Sequence, residues 1–314
     1  MGKVSKSRSL LAVGVMALSA PAAFGALYEE NFNVDHTANW TVNDPGVTDI
    51  GVDFFYDYSA IGVPSASGGD TLGLKMTANN VDGVFGGFSV SPTGESFTGN
   101  YTVSFQMWQN YVGPVGPGGS GTTQLSTMGI GSSGTVGVWP GNGGEAVMFG
   151  ATLDGGSSVD YRAYSSAATT GYGDGSTVFA AAGTGNRNGS HPYYAGFGGD
   201  SAPGDQVTLF PGQTGTTDAG EIAFAWRDVV IDVNNDIATW TIDGLLIATV
   251  DLTTVTLGGS NILFGHSDTN GSASSDPNNS LLNVTLIDNI VVTSEPASLA
   301  LLALGGVAML RRRR

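Results

Sequence analysis

The fold is decided by residues 229–251, VVIDVNNDIATWTIDGLLIATVD. Three apolar runs rich in β-branched residues (229–233, 237–242 and 245–250) are separated by Asn-Asn-Asp and Asp-Gly. Asp-Gly between apolar runs favours a two-residue hairpin turn, because glycine adopts positive φ at little cost. The stretch therefore predicts a three-stranded antiparallel meander.

The same β pattern recurs on both sides of this meander. In residues 101–108, Tyr101 and every second residue to Met107 are apolar, while Thr102, Ser104 and Gln106 are polar, so Trp108 falls on the polar face. Further strands are predicted at 26–32, 39–42, 54–58, 71–76, 84–90, 147–153 and 280–292, and residues 113–121 and about 165–220 are predicted to be loops. With 49 glycines and almost no helical periodicity outside the termini, the chain is predicted to be all-β.

This pattern resembles a known class of sandwich. The meander ending in IDGLLIATVDL, together with the closing strand Ser280–Val292, is similar to concanavalin A-like lectin and laminin-G jelly rolls. The resemblance implies one jelly-roll sandwich over residues 26–293. It implies a fold and not an activity, because many functions share this fold.

The N-terminus has the features of a secretory signal. Lys3, Lys6 and Arg8 precede an apolar run from Leu10 to about Ala20, and Ala23-Phe24-Gly25 fits the small-x-small cleavage rule. Residues 1–25 are therefore predicted to be a signal peptide that forms a short helix. Cleavage at Ala20-Pro21-Ala22 and an uncleaved anchor are the alternatives.

The C-terminus has three parts in a fixed order. Ser294, Glu295 and Pro296 form a short turn, an uncharged run follows from 297 to 310, and Arg311, Arg312, Arg313 and Arg314 close the chain. As a helix the run spans roughly 21 Å, which is short of the ~30 Å hydrocarbon core of a bilayer. A terminal basic cluster prefers the cytoplasmic side. We predict a short membrane helix; a buried core helix is the alternative.

Residues 294–314 resemble the PEP-CTERM sorting signal of bacterial surface proteins. Glu295 and Pro296 match the second and third motif positions, and Ser294 stands where the first proline is expected. The resemblance implies an exosortase-type processing enzyme as a partner and transient anchoring in the inner membrane through the C-terminal helix. It also implies cleavage near Glu295-Pro296, followed by delivery to the cell surface or an exopolysaccharide matrix.

Charge and composition exclude several functions. The two sorting segments contain seven of the eleven basic residues and one of the twenty-seven acidic ones, so the region between them has a net charge of −22. Such a surface excludes direct binding to nucleic acid, whose affinity depends on Lys and Arg at phosphates. It suits salty surroundings, divalent cations or neutral polymers. The absence of cysteine excludes thiol chemistry and cysteine zinc sites.

No catalytic motif is present. Glucanases of the jelly-roll class carry Glu-x-Asp-x-x-Glu on one strand, and none of the six glutamates begins that pattern. His36, His191 and His266 lie far apart in the sequence and are predicted to be loop or surface residues. We therefore predict that the protein is not an enzyme; a divergent glycoside-active enzyme of the same fold is the alternative.

Two sets of residues are candidate binding sites. Asp268, Asn270 and Ser272, with Asp276 nearby, offer oxygen ligands at alternate positions, as calcium loops do, although a water-exposed turn is the alternative. No motif demands a cofactor, and Ca²⁺ is the one ion that these residues suggest. Sugar rings stack on aromatic side chains flanked by hydrogen-bonding groups, so the candidate glycan-binding residues are Trp108, Asn110, Tyr111, Trp139, Tyr193 and Tyr194.

For Trp108 the alternative is packing beneath a covering loop. Trp40, Trp226 and Trp240 lie in strand-like contexts and are predicted to be core residues. Taken together, the sequence predicts an exported surface or matrix protein with a structural or adhesive role and contact with exopolysaccharide.

The sorting prediction has a direct test. Intact-mass measurement of the protein recovered from the cell surface is expected to show a chain that begins near Ala26 and ends near Glu295. Recovery only of chains that still carry Arg311 to Arg314 would contradict the processing step.

Overall fold

The computed structural model describes residues 25–46, 49–67, 69–78, 80–81, 86–112, 124–153, 157–268 and 276–294. Apart from Gly25 and Ser294, the predicted signal peptide and sorting signal lie outside these residues, so both stay predictions. None of the described helices is long and apolar enough to cross a membrane.

The described residues form a two-sheet antiparallel sandwich of jelly-roll type, which confirms the predicted all-β fold. Sheet A has the order β12-β11-β10-β6-β14-β4-β3, with β1 also paired to β14, and sheet B has the order β2-β5-β13-β7-β8-β9. The elements are β1 (Tyr28–Glu30), β2 (Trp40–Asn43), β3 (Gly51–Asp57), β4 (Leu72–Thr77), β5 (Gly87–Pro92), β6 (Tyr101–Asn110), β7 (Gln124–Ser132), β8 (Val147–Thr152), β9 (Tyr161–Tyr164), α1 (Gly204–Leu209), β10 (Arg227–Asn234), β11 (Ile237–Ile242), β12 (Leu245–Asp251), β13 (Asn261–Asp268), α2 (Asn279–Leu282) and β14 (Val284–Ser294).

The predicted meander is β10, β11 and β12. Both of its turns have two central residues at positive φ: Asn235 and Asp236 at 49° and 62°, and Asp243 and Gly244 at 49° and 77°. Such turns twist in the same sense as the flanking strands, which is why Asn, Asp and Gly occupy them. The paired strands bury alternate residues, as the sequence predicted.

Aromatic pairs join the two sheets across the core. Trp240 of sheet A stacks on Phe149 of sheet B with ring centroids 5.3 Å apart, and Phe105 meets Phe264 edge-on at 4.9 Å. Trp40 stacks on Phe54 at 5.2 Å. Such contacts stabilise the sandwich by about 0.5–1.5 kcal/mol each beyond the area that they bury.

Sheet B is buried on both faces. Every residue of β5, β7, β8 and β13 is buried, so these strands show little polar alternation in sequence. The outward positions are small, as at Ser89, Gly265 and Gly150, which lie in one cross-strand row with Thr127. Without alternation the sequence pattern misses β7 and β13, although it predicts β5 and β8; the four-residue β9 is also missed.

The predicted loop at 165–220 is a closely packed cover with few regular elements. Arg227 of β10 holds it through Asp200 and also bonds Asp243 at 3.2 Å. Inside the cover, Gln206 donates to the carbonyl of Ile61 at 2.8 Å, and Gln213 donates to that of Tyr111 at 2.7 Å. Buried amides thus take the place of a regular hydrogen-bond ladder here.

One end of the inter-sheet space holds a polar chain in place of apolar packing. Gln109 Nε2 lies 2.8 Å from Ser126 Oγ, which is 2.6 Å from Thr285 Oγ1. Thr285 Oγ1 is 2.9 Å from His266 Nδ1, and His266 Nε2 is 2.8 Å from Gln124 Oε1. If His266 Nε2 donates to Gln124 Oε1, the hydroxyl of Thr285 can donate to Nδ1 and that of Ser126 can donate to Thr285. This pattern requires a neutral imidazole, because a protonated ring has no acceptor. The prediction that His266 is a loop or surface residue was wrong, because the side chain is fully buried.

The buried imidazole predicts acid sensitivity. Burial lowers the pKa of His266 from 6.5 to about 3, so the unfolded chain takes up this proton first as the pH falls. The free energy of unfolding should therefore lose up to about 1.4 kcal/mol per pH unit between pH 6.5 and 3 from this residue alone.

Urea denaturation of the wild type and of His266→Gln at pH 7.5, 5.5 and 4.5 measures this loss. The variant is expected to have a shallower pH dependence, whatever its stability at pH 7.5. His191→Gln, which changes a half-buried histidine, is the control and should keep the wild-type slope. Equal slopes in all three proteins would contradict the assignment.

Candidate functional site

The structure buries four of the six predicted glycan-binding residues: Trp108, Asn110, Tyr111 and Tyr194. Trp108 is out of phase with the inter-sheet core, as its position in the sequence indicated, but its side chain is only 2% exposed. Its indole nitrogen donates to Asn110 Oδ1 at 3.2 Å, and its ring lies 5.9 Å from that of Trp226. The prediction that these four side chains present a face to a sugar is therefore wrong.

The reason is a second apolar layer on the outer face of sheet A. It covers the end of the sheet that carries Trp108, and a strand pattern cannot reveal it because distant segments supply it. Its buried members are Tyr58, Ile61, Val63, Trp108, Tyr111, Val112, Leu153, Ala223, Phe224, Leu282, Val284 and Leu286. Trp226 packs at its margin, half-buried, whereas Trp40 and Trp240 lie in the inter-sheet core as predicted.

The other two aromatic candidates, Trp139 and Tyr193, are half-buried. Tyr193 donates its hydroxyl to the carbonyl of Leu246 at 2.8 Å, on β12 of sheet A. Trp139 belongs to the loop whose Val138 packs on sheet B and donates its N–H to Ser89 Oγ. Tyr193 thus contacts sheet A, whereas Trp139 adjoins a residue that packs on sheet B.

The predicted calcium loop is described only at its two ends. Asp268 ends β13 and is fully buried, and Asp276 accepts a hydrogen bond from the N–H of Asn278 at 2.8 Å. Asn270 and Ser272 lie outside the described residues. Within the described ranges no three His, Asp or Glu side chains form a metal-binding group. The calcium site stays a prediction.

A groove of about 390 Å³ opens at the β3–β4 edge of sheet A and is the strongest candidate site. We call it the β3–β4 groove. It combines an aromatic ring, an ammonium, a carboxylate, an amide and hydroxyls, and it is lined by Ile50, Gly51, Val52, Asp53, Tyr56, Lys75, Thr77, Asn80 and Ser280.

An irregularity in β3 places the charged and aromatic groups together. Asp53 pairs directly with Lys75 of β4, after which the register shifts before Tyr56. Asp53 Oδ1 accepts the N–H of Phe55 at 2.9 Å, which stabilises this bend. Phe54 then enters the core, while Tyr56 packs at the margin of the outer apolar layer.

Lys75 is held against the aromatic ring. Its Nζ lies 4.4 Å from the centroid of the Tyr56 ring, within the range of a cation–π contact. Burial lowers the pKa of Lys75. Burial also raises the pKa of Tyr56, and the negative charges of Asp53 and Asp57 add to the rise. The groove therefore contains a partly desolvated ammonium beside a neutral phenol.

Hydrogen bonds fix the polar end of the groove. Thr77 Oγ1 donates to the carbonyl of Asn283 at 3.0 Å and lies 3.2 Å from Asn80 Oδ1. The N–H of Asn80 donates to Asp49 Oδ2 at 2.7 Å, and Asn279 Nδ2 donates to the carbonyl of Asn80 at 3.2 Å. These bonds hold Asn80 beside β4 before any ligand arrives.

The chain neighbours of the lining residues expose apolar side chains. Phe55, Val81 and Leu281 are 40%, 57% and 41% exposed, and each adjoins a residue of the β3–β4 groove. Apolar surface next to converging polar groups is typical of a binding site. No sequence motif marks this site, although Lys75 is one of four basic residues in 26–293 and occupies an outward position between Leu74 and Met76.

A second groove, of about 320 Å³, lies over β10, β6 and β14. Both ends of the Gln106 amide in its lining are engaged: Oε1 accepts from Ser67 and Asn289, and Nε2 donates one hydrogen bond to Asp228. The only ring in its lining belongs to Phe105, which is buried in the core. This groove offers a sugar fewer unoccupied groups than the β3–β4 groove does.

A buried carboxyl lies beneath the second groove. Asp288 is 1% exposed, and burial, with smaller contributions from the charges of Asp70 and Glu30, raises its pKa to about 7. Asp288 Oδ2 lies 3.2 Å from the hydroxyl of Tyr58, which donates to the carbonyl of Asp70 at 3.0 Å. Since Tyr58 has one proton to donate, a protonated Asp288 that donates to Tyr58 satisfies both contacts.

Comparison with known proteins does not identify a family for this chain. No protein-family model matches the sequence, and no curated protein matches it. Among solved structures, the chain is similar to a galectin-like protein of unknown function from Bacillus subtilis (11% identity, TM-score 0.42, 86% of this chain and 97% of that one). It is also similar to the Bacillus licheniformis beta-glucanase (13% identity, TM-score 0.39, 87% of this chain and 99% of that one). A third similar structure is an endo-1,3-beta-glucanase from Streptomyces sioyaensis (10% identity, TM-score 0.44, 88% of this chain and 99% of that one). Below a TM-score of 0.5 these similarities carry no argument about function.

Asp288→Asn is expected to stabilise the protein above pH 7. The unfolded carboxyl ionises near pH 3.8, whereas the folded one ionises near 7, so the wild type loses stability as the pH rises through this window. Asparagine reproduces the hydrogen bonds of the protonated acid, donating to Tyr58 and accepting from the N–H of Asn289. We expect the variant to be more stable by roughly 2 kcal/mol at pH 8 and nearly equal at pH 4.

Chemical denaturation at both pH values measures this difference. Asp228→Asn, at an exposed carboxylate in the adjacent groove, is the control and should change the pH dependence little. A variant of Asp288 that is less stable than the wild type at both pH values would show that the carboxyl is ionised in the folded state.

Proposed function

We propose that residues 26–293 form a non-enzymatic, exported module that binds polysaccharide in the β3–β4 groove and has a structural or adhesive role at the cell surface or in the extracellular matrix. The observation that carries the proposal is the grouping of Asp53, Tyr56, Lys75 and Asn80 in one groove of about 390 Å³. This volume is within the 300–1,000 Å³ range that small-molecule and cofactor sites typically occupy.

The groups in the groove match the chemistry of a sugar. A sugar ring presents hydroxyls that both donate and accept, and C–H faces that pack on aromatic and apolar side chains. Asp53 can only accept from these hydroxyls and Lys75 can only donate to them. Tyr56 inside the groove and Phe55 beside it offer apolar surface.

The distribution of carboxylates supports binding rather than hydrolysis. Most glycosidases place two carboxyl groups across the scissile bond, whereas among the described residues the β3–β4 groove is lined by one, Asp53, and the second groove by one, Asp228. Asp160 and Glu221 share a third cleft, but its volume of about 10 Å³ has room for little more than one water molecule. A divergent glycoside-active enzyme remains the competing proposal.

Export and sorting belong to the same proposal. A signal peptide at 1–25 and the segment 294–314, processed by an exosortase-type enzyme, would deliver the module to its polymer. The net charge of −22 between these segments suits a protein that works among salts and hydrated polymers. Calcium bound at the predicted loop 268–276 would offset part of this negative charge locally.

A binding screen tests the proposed function. The purified protein is titrated with neutral and acidic polysaccharides, with and without calcium, beside Tyr56→Ala and Asp53→Asn. Both variants are expected to weaken binding at least tenfold, because they remove a packing surface and an acceptor in the groove. Trp139→Ala, at a half-buried aromatic residue outside the groove, and Trp108→Ala, in the buried outer layer, are the controls.

Thermal melting of each variant identifies loss of folding. Affinity that is unchanged in both groove variants, or no binding to any polymer, would contradict the proposal. Release of reducing sugar ends from any polymer would favour the enzyme.

A further inference from the structure

We propose that the β3–β4 groove recognises a sugar that bears a carboxylate, with the carboxylate bound by Lys75. This inference rests on the proposed function and names its ligand class. It begins from how the protein uses its few cations, since residues 26–293 contain four basic side chains and twenty-six acidic ones.

Three of the four cations are occupied within the fold. Arg227 binds Asp200 and Asp243 and also donates to the carbonyl of Ile222. Arg162 Nε donates to the carbonyl of Val159 at 2.9 Å, and Arg187 donates to that of Tyr172 at 2.8 Å. Each of these side chains has an evident structural role.

Among the residues that the structure describes, Lys75 has no such partner. No carboxylate of the described residues lies within 4 Å of its Nζ, although Asp53 stands directly opposite on β3. Asp53 Oδ1 instead accepts the N–H of Phe55, and the ammonium lies over the Tyr56 ring. The three N–H donors of Lys75 are therefore left for a ligand in the groove.

This arrangement carries a cost that a structural lysine would avoid. Burial lowers the pKa of Lys75, and the negative charge of Asp53 only partly opposes this shift, because a desolvated ammonium without a hydrogen-bonded anion is disfavoured. A ligand carboxylate at Nζ would relieve this penalty through a charge-assisted hydrogen bond. The hydroxyls of the same sugar would reach Asp53 and Asn80, which also line the groove.

The net charge of the protein makes a direct contact with Lys75 important for an acidic ligand. A net charge of −22 repels a polyanion over most of the surface, so an acidic glycan needs a place where a cation outweighs its surroundings. At about 0.15 M salt the distant repulsion is screened beyond roughly 8 Å, whereas a contact in a partly buried groove is screened less. Under these conditions the contact with Lys75 decides whether an acidic sugar binds.

The test compares one oligosaccharide in two charge states. The protein is titrated calorimetrically at pH 7, in 150 mM salt with chelator, with tetramers of galacturonate, glucuronate and mannuronate and with their carboxyl-reduced neutral forms. At least one acidic tetramer is expected to bind tenfold or more tightly than its neutral form. Lys75→Met should abolish this preference, and Lys75→Arg should retain most of it. Arg162→Met makes the same change in net charge outside the groove and should have no effect.

The titrations distinguish a failure of carboxylate recognition from a failure of polysaccharide binding. Equal affinity for the acidic and neutral forms, unchanged in Lys75→Met, would overturn the role of the carboxylate and leave polysaccharide binding in place. A preference that persists in Lys75→Met would place the cation elsewhere and overturn the inference. No binding of either form, or of any polymer in the wider screen, would overturn both proposals.

Discussion

The pairing of β14 with β6 is the interaction on which the remaining structure depends. β14 runs antiparallel to β6 over most of its length, and it also pairs with β1 and β4. The last strand of the domain therefore connects the first strand to the centre of sheet A. The edge strand β3 reaches the sheet only through β4, so the β3–β4 groove exists only once β14 is in place. Folding of the site thus requires contacts between residues more than 200 positions apart, which is typical of slow-folding sandwiches.

The interior includes two buried titratable groups whose effects on stability oppose each other. His266 favours the folded state at higher pH, because its proton is taken up first by the unfolded chain, whereas Asp288 favours it at lower pH. Between about pH 3.8 and 6.5 the two effects largely cancel. The net pH dependence of the wild type is therefore expected to be flatter than that of either single variant.

Alternation in polarity identifies the strands of sheet A that have one face in water; of the fully buried strands of sheet B, the sequence predicts β5 and β8 and misses β7 and β13. The meander at 229–251 and the strand at 101–108 alternate in polarity, because one face of sheet A remains partly exposed. β7 and β13 have no exposed residue, so their Gly, Ser and Thr positions show no alternation that would mark a strand. His266 was misplaced for this reason, since a histidine between Gly265 and Ser267 has no local sign of burial.

The candidate site could be predicted only in part, for a related reason. Trp108 was chosen because it is out of phase with the core, but an outward position indicates exposure only where nothing covers the sheet. Lys75 also occupies an outward position, and its side chain stays half-buried because an ammonium avoids complete burial. Because residues 26–293 contain four basic side chains, the position of each one says more about a candidate binding site than the positions of the more numerous aromatic residues do. Within the described part of the chain Lys75 forms no ion pair within 4 Å, and this placement is the reason for proposing an anion supplied by a ligand.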